Sequence, residues 1–311
     1  MNQARYRGQD MHGKEKELKF RVRSTPFIAL FRTTPPRTIC PNFFVLAHAS
    51  GCAFHPSCSY CYLKSSFWYL KKNEAFTNMR EMISQVRAWI RRDDLETYVL
   101  NAGNLSDSLV FEPRRPMVKS LIETFREHAE ARNRKHTLLL VTKGGIEECR
   151  SLFETRPCGN VVVSFSVNNP RAARRYESGA VPVGSRLAAA RNLLEKGWRV
   201  RIRIDPMILG FGYRGIASEV KKLKPELVTL GTLRAESSLY RFAGRRLFKD
   251  LEPPPDKKSL GRYPLEKRIG LYRQAMAILE NTCPIGLCEE PPAAWDALGL
   301  DKKLKSCNCT G

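Results

Sequence analysis

Cys52, Cys58 and Cys61 lie within ten positions of one another in GCAFHPSCSYCYL (residues 51–63), spaced as C-x5-C-x2-C. Thiolates so grouped are ligands for soft metals. A structural zinc site takes four protein ligands, and a Cys-x2-Cys pair usually has a second pair within some tens of residues. Here no cysteine lies between Cys61 and Cys149. Three thiolates without a near fourth suit three irons of a [4Fe–4S] cluster, whose fourth iron then stays open to an exchangeable ligand. Zinc is the second reading, with His55 inside the loop as the group that would contest the open position. The spacing of His55 from Cys52 and Cys58 would crowd the metal. Tyr60, just before the last cysteine, is placed either to pack against an adenine beside such a cluster or as an ordinary packing aromatic.

A second set lies near the C-terminus. NTCPIGLCEEP (281–291) and SCNC (306–309) carry Cys283, Cys288, Cys307 and Cys309, spaced C-x4-C-x18-C-x-C. Four thiols suit a second metal site, an auxiliary iron–sulfur cluster or zinc. Adjacent Cys-x-Cys crowds one zinc but suits two irons. Cys40 replaces Cys283 in the set if the tail folds back over the N-terminal arm. The plainer reading makes some of these cysteines buried small hydrophobes, as expected for Cys149 and Cys158. Trp295 reads as a packing anchor.

Elements must hold these loops in place. NFFVLAHA (42–49) reads as a strand that runs straight into the cysteine loop. A helical run over 74–92 follows, with Phe76, Met79, Ile83, Val86 and Ile90 three or four apart. Then come TYVLNA (97–102), a helix over about 116–132, HTLLLVT (136–142) and a short helix near 145–154. VVVSFS (161–166), a helix over 185–196 stopped by Gly197, WRVRIRID (198–205) and LVTLG (227–231) complete the series. Strands alternating with helices, without a dinucleotide fingerprint, predict an α/β fold: a partial (β/α)6 TIM-type barrel with a C-terminal cysteine-containing appendage. Loops after strand C-termini build the active site of such barrels. The expected organisation is a basic arm over 1–25, the barrel over 26–240 and an extension over 241–311.

One strand carries charge. Val200, Ile202 and Ile204 share one face, and Arg199, Arg201, Arg203 and Asp205 the other. With the apolar face under the helices, the arginines point into the barrel, toward an anionic ligand in a water-filled cavity. On an edge strand they would face solvent instead.

Lys and Arg number 53 against 31 Asp and Glu, a formal charge of +22. A field of that sign favours a polyanion, and nucleic acid is the first candidate. No stretch approaches the ~20 apolar residues of a membrane span. The first 25 residues lack a signal-peptide core, and Asp10, Glu15 and Glu17 argue against a transit peptide. A cytoplasmic location follows, where clustered cysteines bind metal more often than they form disulfides.

The loop resembles that of the radical S-adenosylmethionine (SAM) enzymes, whose usual spacing is C-x3-C-x2-C. Phe54 to Ser57 fall in the part widened here. CPNFFVLAHASGC, CSYCYL, NAGNLSDSL (101–109), LLLVTKGG (138–145), VVVSFSVNN and YESGAVPVGSRLAAARNLLEKGWRVRIRIDPM (176–207) together resemble the spore photoproduct lyase family over roughly residues 38–235. The resemblance implies that Cys52, Cys58 and Cys61 hold a [4Fe–4S] cluster. SAM bound to its open iron would be cleaved reductively to a 5′-deoxyadenosyl radical that abstracts hydrogen from substrate. An electron donor such as flavodoxin or ferredoxin is implied as well.

Ser106, Lys143 and Ser166 match positions that hold the methionine end of SAM. An ammonium at a strand end neutralises a carboxylate, although most lysines are merely solvated. Asp107, a cofactor-binding candidate, orients a neighbour or coordinates water, and its plainer reading is a helix or turn cap. Arg203 is a further cofactor-binding candidate.

Asn104 is the departure. The matching residue of the family is a cysteine that returns a hydrogen atom to the repaired thymine. An amide cannot do so, and Cys149, Cys158 or Tyr62 would have to substitute. The family also resembles radical SAM proteins that hypermodify thymidine in viral DNA by rearranging an amino-acid adduct on the base methyl. With Asn104 in place of the cysteine, that resemblance favours hypermodification or isomerisation of a thymidine-derived base in DNA. Spore-photoproduct-type repair is the alternative, as is radical SAM chemistry on RNA, a peptide or a small molecule. A zinc-stabilised nucleic-acid-binding protein is the non-enzyme reading.

Overall fold

The computed structural model describes residues 17–32 and 37–311. Strands β1 (Leu18–Arg21), β2 (Ile28–Phe31), β3 (Phe43–Leu46) and β4 (Ala49–Ser50) lead to the cysteine loop. Beyond it come α1 (Leu63–Ser66), β5 (Asn73–Phe76), α2 (Met79–Ile90), β6 (Val99–Asn101), α3 (Val118–His128) and β7 (Thr137–Thr142). The alternation continues through α4 (Arg150–Phe153), β8 (Val161–Val167), α5 (Pro170–Tyr176), α6 (Val183–Glu195), β9 (Arg199–Met207), α7 (Arg214–Leu223) and β10 (Leu227–Thr232). The C-terminal part adds β11 (Arg234–Glu236), β12 (Leu260–Arg262), α8 (Leu265–Leu279), β13 (Ile285–Leu287) and α9 (Pro292–Ala297).

The main sheet runs β13-β10-β9-β8-β7-β6-β3-β2 and is open, a partial barrel. Its strands are parallel from β3 to β13, and β2 is antiparallel at the far edge. The six expected strands stand in chain order. The seventh parallel strand, β13, comes from the C-terminal extension, and its three residues with a central glycine are too short for a periodic signal.

Alternation along the strands sorts the two faces. Leu138, Leu140, Val161, Val163, Phe165, Val200, Ile202, Ile204, Val228 and Leu230 pack with the helices in the main core. On the inner face, Phe43, Val45, Val99, Leu139, Val141 and Val162 form a smaller apolar floor. Ser164, Ser166, Arg203 and Thr229 stand beside it on β8 to β10.

Two local expectations change. Residues 74–76 are not helical: they belong to β5, hydrogen-bonded between β1 and β4 in a small second sheet. Pairing on both sides and burial of Ala75 and Phe76 outweigh the helical spacing, and α2 starts only at Met79. The basic-arm expectation lies mostly outside the described residues. Of the part described, Leu18–Arg21 is a strand, in register with β5 from Leu18↔Asn73.

The charged strand turns its arginines inward, as the alternation predicts, but they meet the protein's own groups. Arg199 and Arg201 share Glu226 at 2.6 and 2.9 Å. Arg201 also donates to the carbonyls of Asn308 and Thr310 at 2.9 and 2.5 Å. The C-terminal tail thus fills the interior near the strand N-termini, where a water-filled cavity was expected.

Candidate active site

The loops that leave β4, β6, β7 and β8 at their C-terminal ends converge around the three cysteines. Cys52, Cys58 and Cys61 are half-buried and free. Burial pushes Cys58 up to about 12 and raises Cys52 and Cys61 as well. Asp107 adds to the effect at Cys52, whereas Lys143 opposes it at Cys58 and Cys61. A bound metal reverses that balance and deprotonates its thiols outright. Among the described residues, no three His, Cys, Asp or Glu side chains are gathered into the ligand set of one ion. Thiols that cap different irons of a cluster stand further apart than that. His55 is exposed on the widened part of the loop.

The loop is fastened from outside. Ser59 N–H donates to the Tyr176 carbonyl at 2.8 Å. The Tyr60 hydroxyl donates to Glu177 Oε1, so Tyr60 is anchored through its polar end. Glu177 also accepts from Asn168 Nδ2 at 3.0 Å and pairs with Arg186 at 2.7 Å. Arg186 in turn donates to the carbonyls of Val181 and Ser166, at 2.6 and 2.9 Å. Reading residues singly misses these groups. Their signal is present in YESGAVPVGSR, where one acid and one arginine stand in an otherwise small and apolar run.

Lys143 follows β7, and its ammonium stands 5.7 Å from the centre of the Tyr60 ring. Burial works against its charge, yet Glu177 and Cys58 outweigh that and raise its pKa. It is an ammonium held in place, not a free surface lysine. Asp107 accepts from the Leu109 and Val110 amides at 2.9 and 3.1 Å, the cap its residue type suggests. It also accepts from Thr142 Oγ1 at 2.8 Å and Lys143 N at 2.6 Å, which locks the β6 exit to the β7 exit. Burial raises its pKa against the Leu109 and Lys143 amides, the Thr142 hydroxyl and the Lys143 charge.

The Ser106 hydroxyl is buried without a partner. Ser166 is buried on β8. Arg203 is engaged by Asp205 and by Cys288 Sγ at 3.4 Å. Tyr62 donates its hydroxyl to the Asn104 carbonyl, which places Asn104 directly beside the cysteine loop. Cys149 and Cys158 are core residues, 0% and 2% exposed.

A family model for spore photoproduct lyase matches residues 5–242, more than half of the chain. The chain belongs to the spore photoproduct lyase family. Similar proteins include the spore photoproduct lyase of Clostridium acetobutylicum, 24% identical over 248 residues, covering 78% of this chain and 70% of the relative. That of Geobacillus sp. (strain Y412MC61) is 24% identical over 274 residues, covering 84% and 78%. A solved spore photoproduct lyase variant with dinucleoside spore photoproduct superposes with a TM-score of 0.71 at 20% identity, over 92% of this chain and 84% of that one. Another, with bound AdoMet and the same dinucleoside, gives 0.71 at 19% identity over 94% and 85%. The chain is therefore a radical SAM enzyme, and its cofactors are a [4Fe–4S] cluster and SAM. The residues fit them: three grouped thiols, an ammonium for a carboxylate, and an unsatisfied buried hydroxyl on Ser106.

Proposed function

We propose that this enzyme acts on a thymine-derived lesion in DNA, as a lyase of the spore-photoproduct type. The carrying observation is the convergence of Cys52, Cys58, Cys61 and Lys143 at one end of the strands. The cluster and SAM supply a carbon radical able to take hydrogen from a base. Lys143 and Ser106 hold the methionine end of SAM, and Glu177 keeps Tyr60 in place beside the cysteines. Flavodoxin or ferredoxin delivers the electron, in the cytoplasm.

The surface beside the site supports a DNA substrate. Trp68 and Tyr69 are 57% and 60% exposed, and Trp68 stacks on Phe242 with ring centres 6.3 Å apart. Arg241, Arg245, Arg246 and Lys249 are exposed on the adjoining turns. Aromatic faces stack unpaired bases and basic groups hold phosphates. A base in a duplex must be flipped out, at a cost of a few kcal/mol. Reversing Arg245 and Arg246 to glutamate should weaken DNA binding and lower its salt slope by about two, roughly one for each phosphate no longer held. SAM cleavage without DNA should be unchanged. Equal loss of both would show that the charges support the fold.

Asn104 favours a second reading, hypermodification or isomerisation of a thymidine-derived base, in which the radical is recycled and no thiol donor is needed. Cys149 and Cys158 are sealed in the core, so Tyr62 is the donor candidate beside Asn104. Anaerobic incubation with reductant, SAM and dinucleoside spore photoproduct, followed by mass spectrometry of nucleosides, separates the two. Release of thymidine, raised further in Asn104→Cys, supports repair. 5′-Deoxyadenosine with the lesion intact in both proteins overturns it, and a changed base in modified-thymine DNA then establishes the second reading.

A further inference from the structure

Cys40, Cys288, Cys307 and Cys309 meet where the N-terminal segment, the end of β13 and the C-terminal tail come together. Cys307 follows Ser306 against β13, its amide nitrogen 3.0 Å from where a Cβ on Gly286 would stand. Its thiol raises the pKa of both Cys40 and Cys288, with Cys309 adding to the effect at Cys40. Cys283 stands before β13, at the opposite end of the strand from Cys288, and packs against the main core. The set expected from spacing therefore exchanges Cys283 for Cys40. Ile39 bridges to Glu290, with its amide 2.8 Å from the Glu290 carbonyl, and this brings Cys40 in. Gly286 lets the tail pass: a Cβ there would lie 1.9 Å from the Ser306 carbonyl oxygen.

We infer that these four cysteines form a second metal site, separate from the cluster loop, that binds a thiophilic metal as zinc or an iron–sulfur cluster. Three observations support it. Four thiols from three distant segments are grouped, and Cys288 and Cys307 are 9% and 1% exposed. Two guanidinium groups donate to one sulfur, Arg234 at 3.1 Å and Arg203 at 3.4 Å from Cys288 Sγ. Such N–H donors are the outer support that a negatively charged metal–thiolate centre needs. Asn308, between Cys307 and Cys309, is 1% exposed with both side-chain polar atoms unpartnered. Buried polar atoms are costly unless something satisfies them, and metal-bound thiolates accept from amide N–H groups. As at the cluster loop, the thiols are not closed round one point. They would draw in on the metal.

The inference concerns metal content and is independent of substrate. Its test is metal analysis of the full chain as Cys52→Ala/Cys58→Ala/Cys61→Ala, expressed and reconstituted anaerobically. That protein should retain about one zinc, or about four irons with iron–sulfur absorbance, per chain. Adding Cys307→Ser/Cys309→Ser should lower the metal at least about tenfold, whereas adding Cys283→Ser should not. A folded triple variant with no stoichiometric metal, or with Cys40 or Cys288 recovered in a disulfide, overturns the proposal. So does metal retained after all four cysteines are replaced. If the tail variants fail to fold, the triple variant alone decides.

Discussion

Arg186→Ala is expected to destabilise the protein by about 3–5 kcal/mol, because it leaves a buried carboxylate without its partner. Arg186 and Glu177 have side chains only 1% and 0% exposed, and their charged atoms are 2.7 Å apart. Burial opposes the Glu177 charge, but Lys143, Arg186 and the Tyr60 hydroxyl together hold its carboxyl below the usual range. A carboxyl depressed by folding contributes stability above its unfolded pKa of ~4.3, and that contribution is lost as pH falls through the folded value. The deficit of Arg186→Ala should therefore be widest at neutral pH and shrink below about pH 4. Urea unfolding at both pH values measures it. Arg186→Met/Glu177→Gln should recover most of the loss, since a buried pair replaced as a pair is often near neutral. A deficit below about 1 kcal/mol at pH 7 would mean that water reaches the carboxylate.

The same network bears on chemistry. Tyr60 sits between Cys58 and Cys61, and its hydroxyl is held by Glu177. Arg186→Ala should therefore also lower iron content in protein that remains folded, whereas a core truncation of equal cost far from the loop should not.

How far the sequence carries can be judged from these residues. The alternation of Val200, Ile202 and Ile204 against Arg199, Arg201 and Arg203 predicts which face of β9 meets the helices. Periodicity is a local property, and it suffices there. The destination of the arginines is not local: Arg201 meets residues 308 and 310 of the tail, and Arg203 meets Cys288. The cysteine spacing likewise groups Cys52, Cys58 and Cys61 on one loop, but nothing in C-x4-C-x18-C-x-C says that Cys40 arrives from the other end of the chain through the Ile39–Glu290 bridge. Glu177 is hidden for a different reason. A lone acid in a small, apolar segment has no motif, and its importance comes from being buried among Tyr60, Asn168 and Arg186.

Gly179→Ala should displace the cluster loop while leaving the barrel folded. A Cβ at Gly179 would lie 2.1 Å from the His55 carbonyl carbon and 2.3 Å from the Pro56 oxygen. Those are backbone atoms, so no side-chain rotation relieves the overlap. His55 and Pro56 belong to the widened part of C-x5-C, which distinguishes this loop from the usual spacing. The longer loop is thus accommodated by a glycine on the turn after α5, three residues past Tyr176, whose carbonyl holds Ser59. Overpacking of this kind costs about 1–3 kcal/mol, which a chain with this core tolerates. Support behind metal ligands is worth roughly 10–100-fold in metal affinity, and that is the expected drop in cluster binding. Iron content and absorbance after anaerobic reconstitution, read beside the thermal midpoint, separate the effects. A full cluster in Gly179→Ala would show that the loop moves away without disturbing Cys52 and Cys58. Deleting two residues from the Phe54–Ser57 stretch in the same variant provides the converse: the shortened loop no longer meets the new methyl, and cluster binding should return.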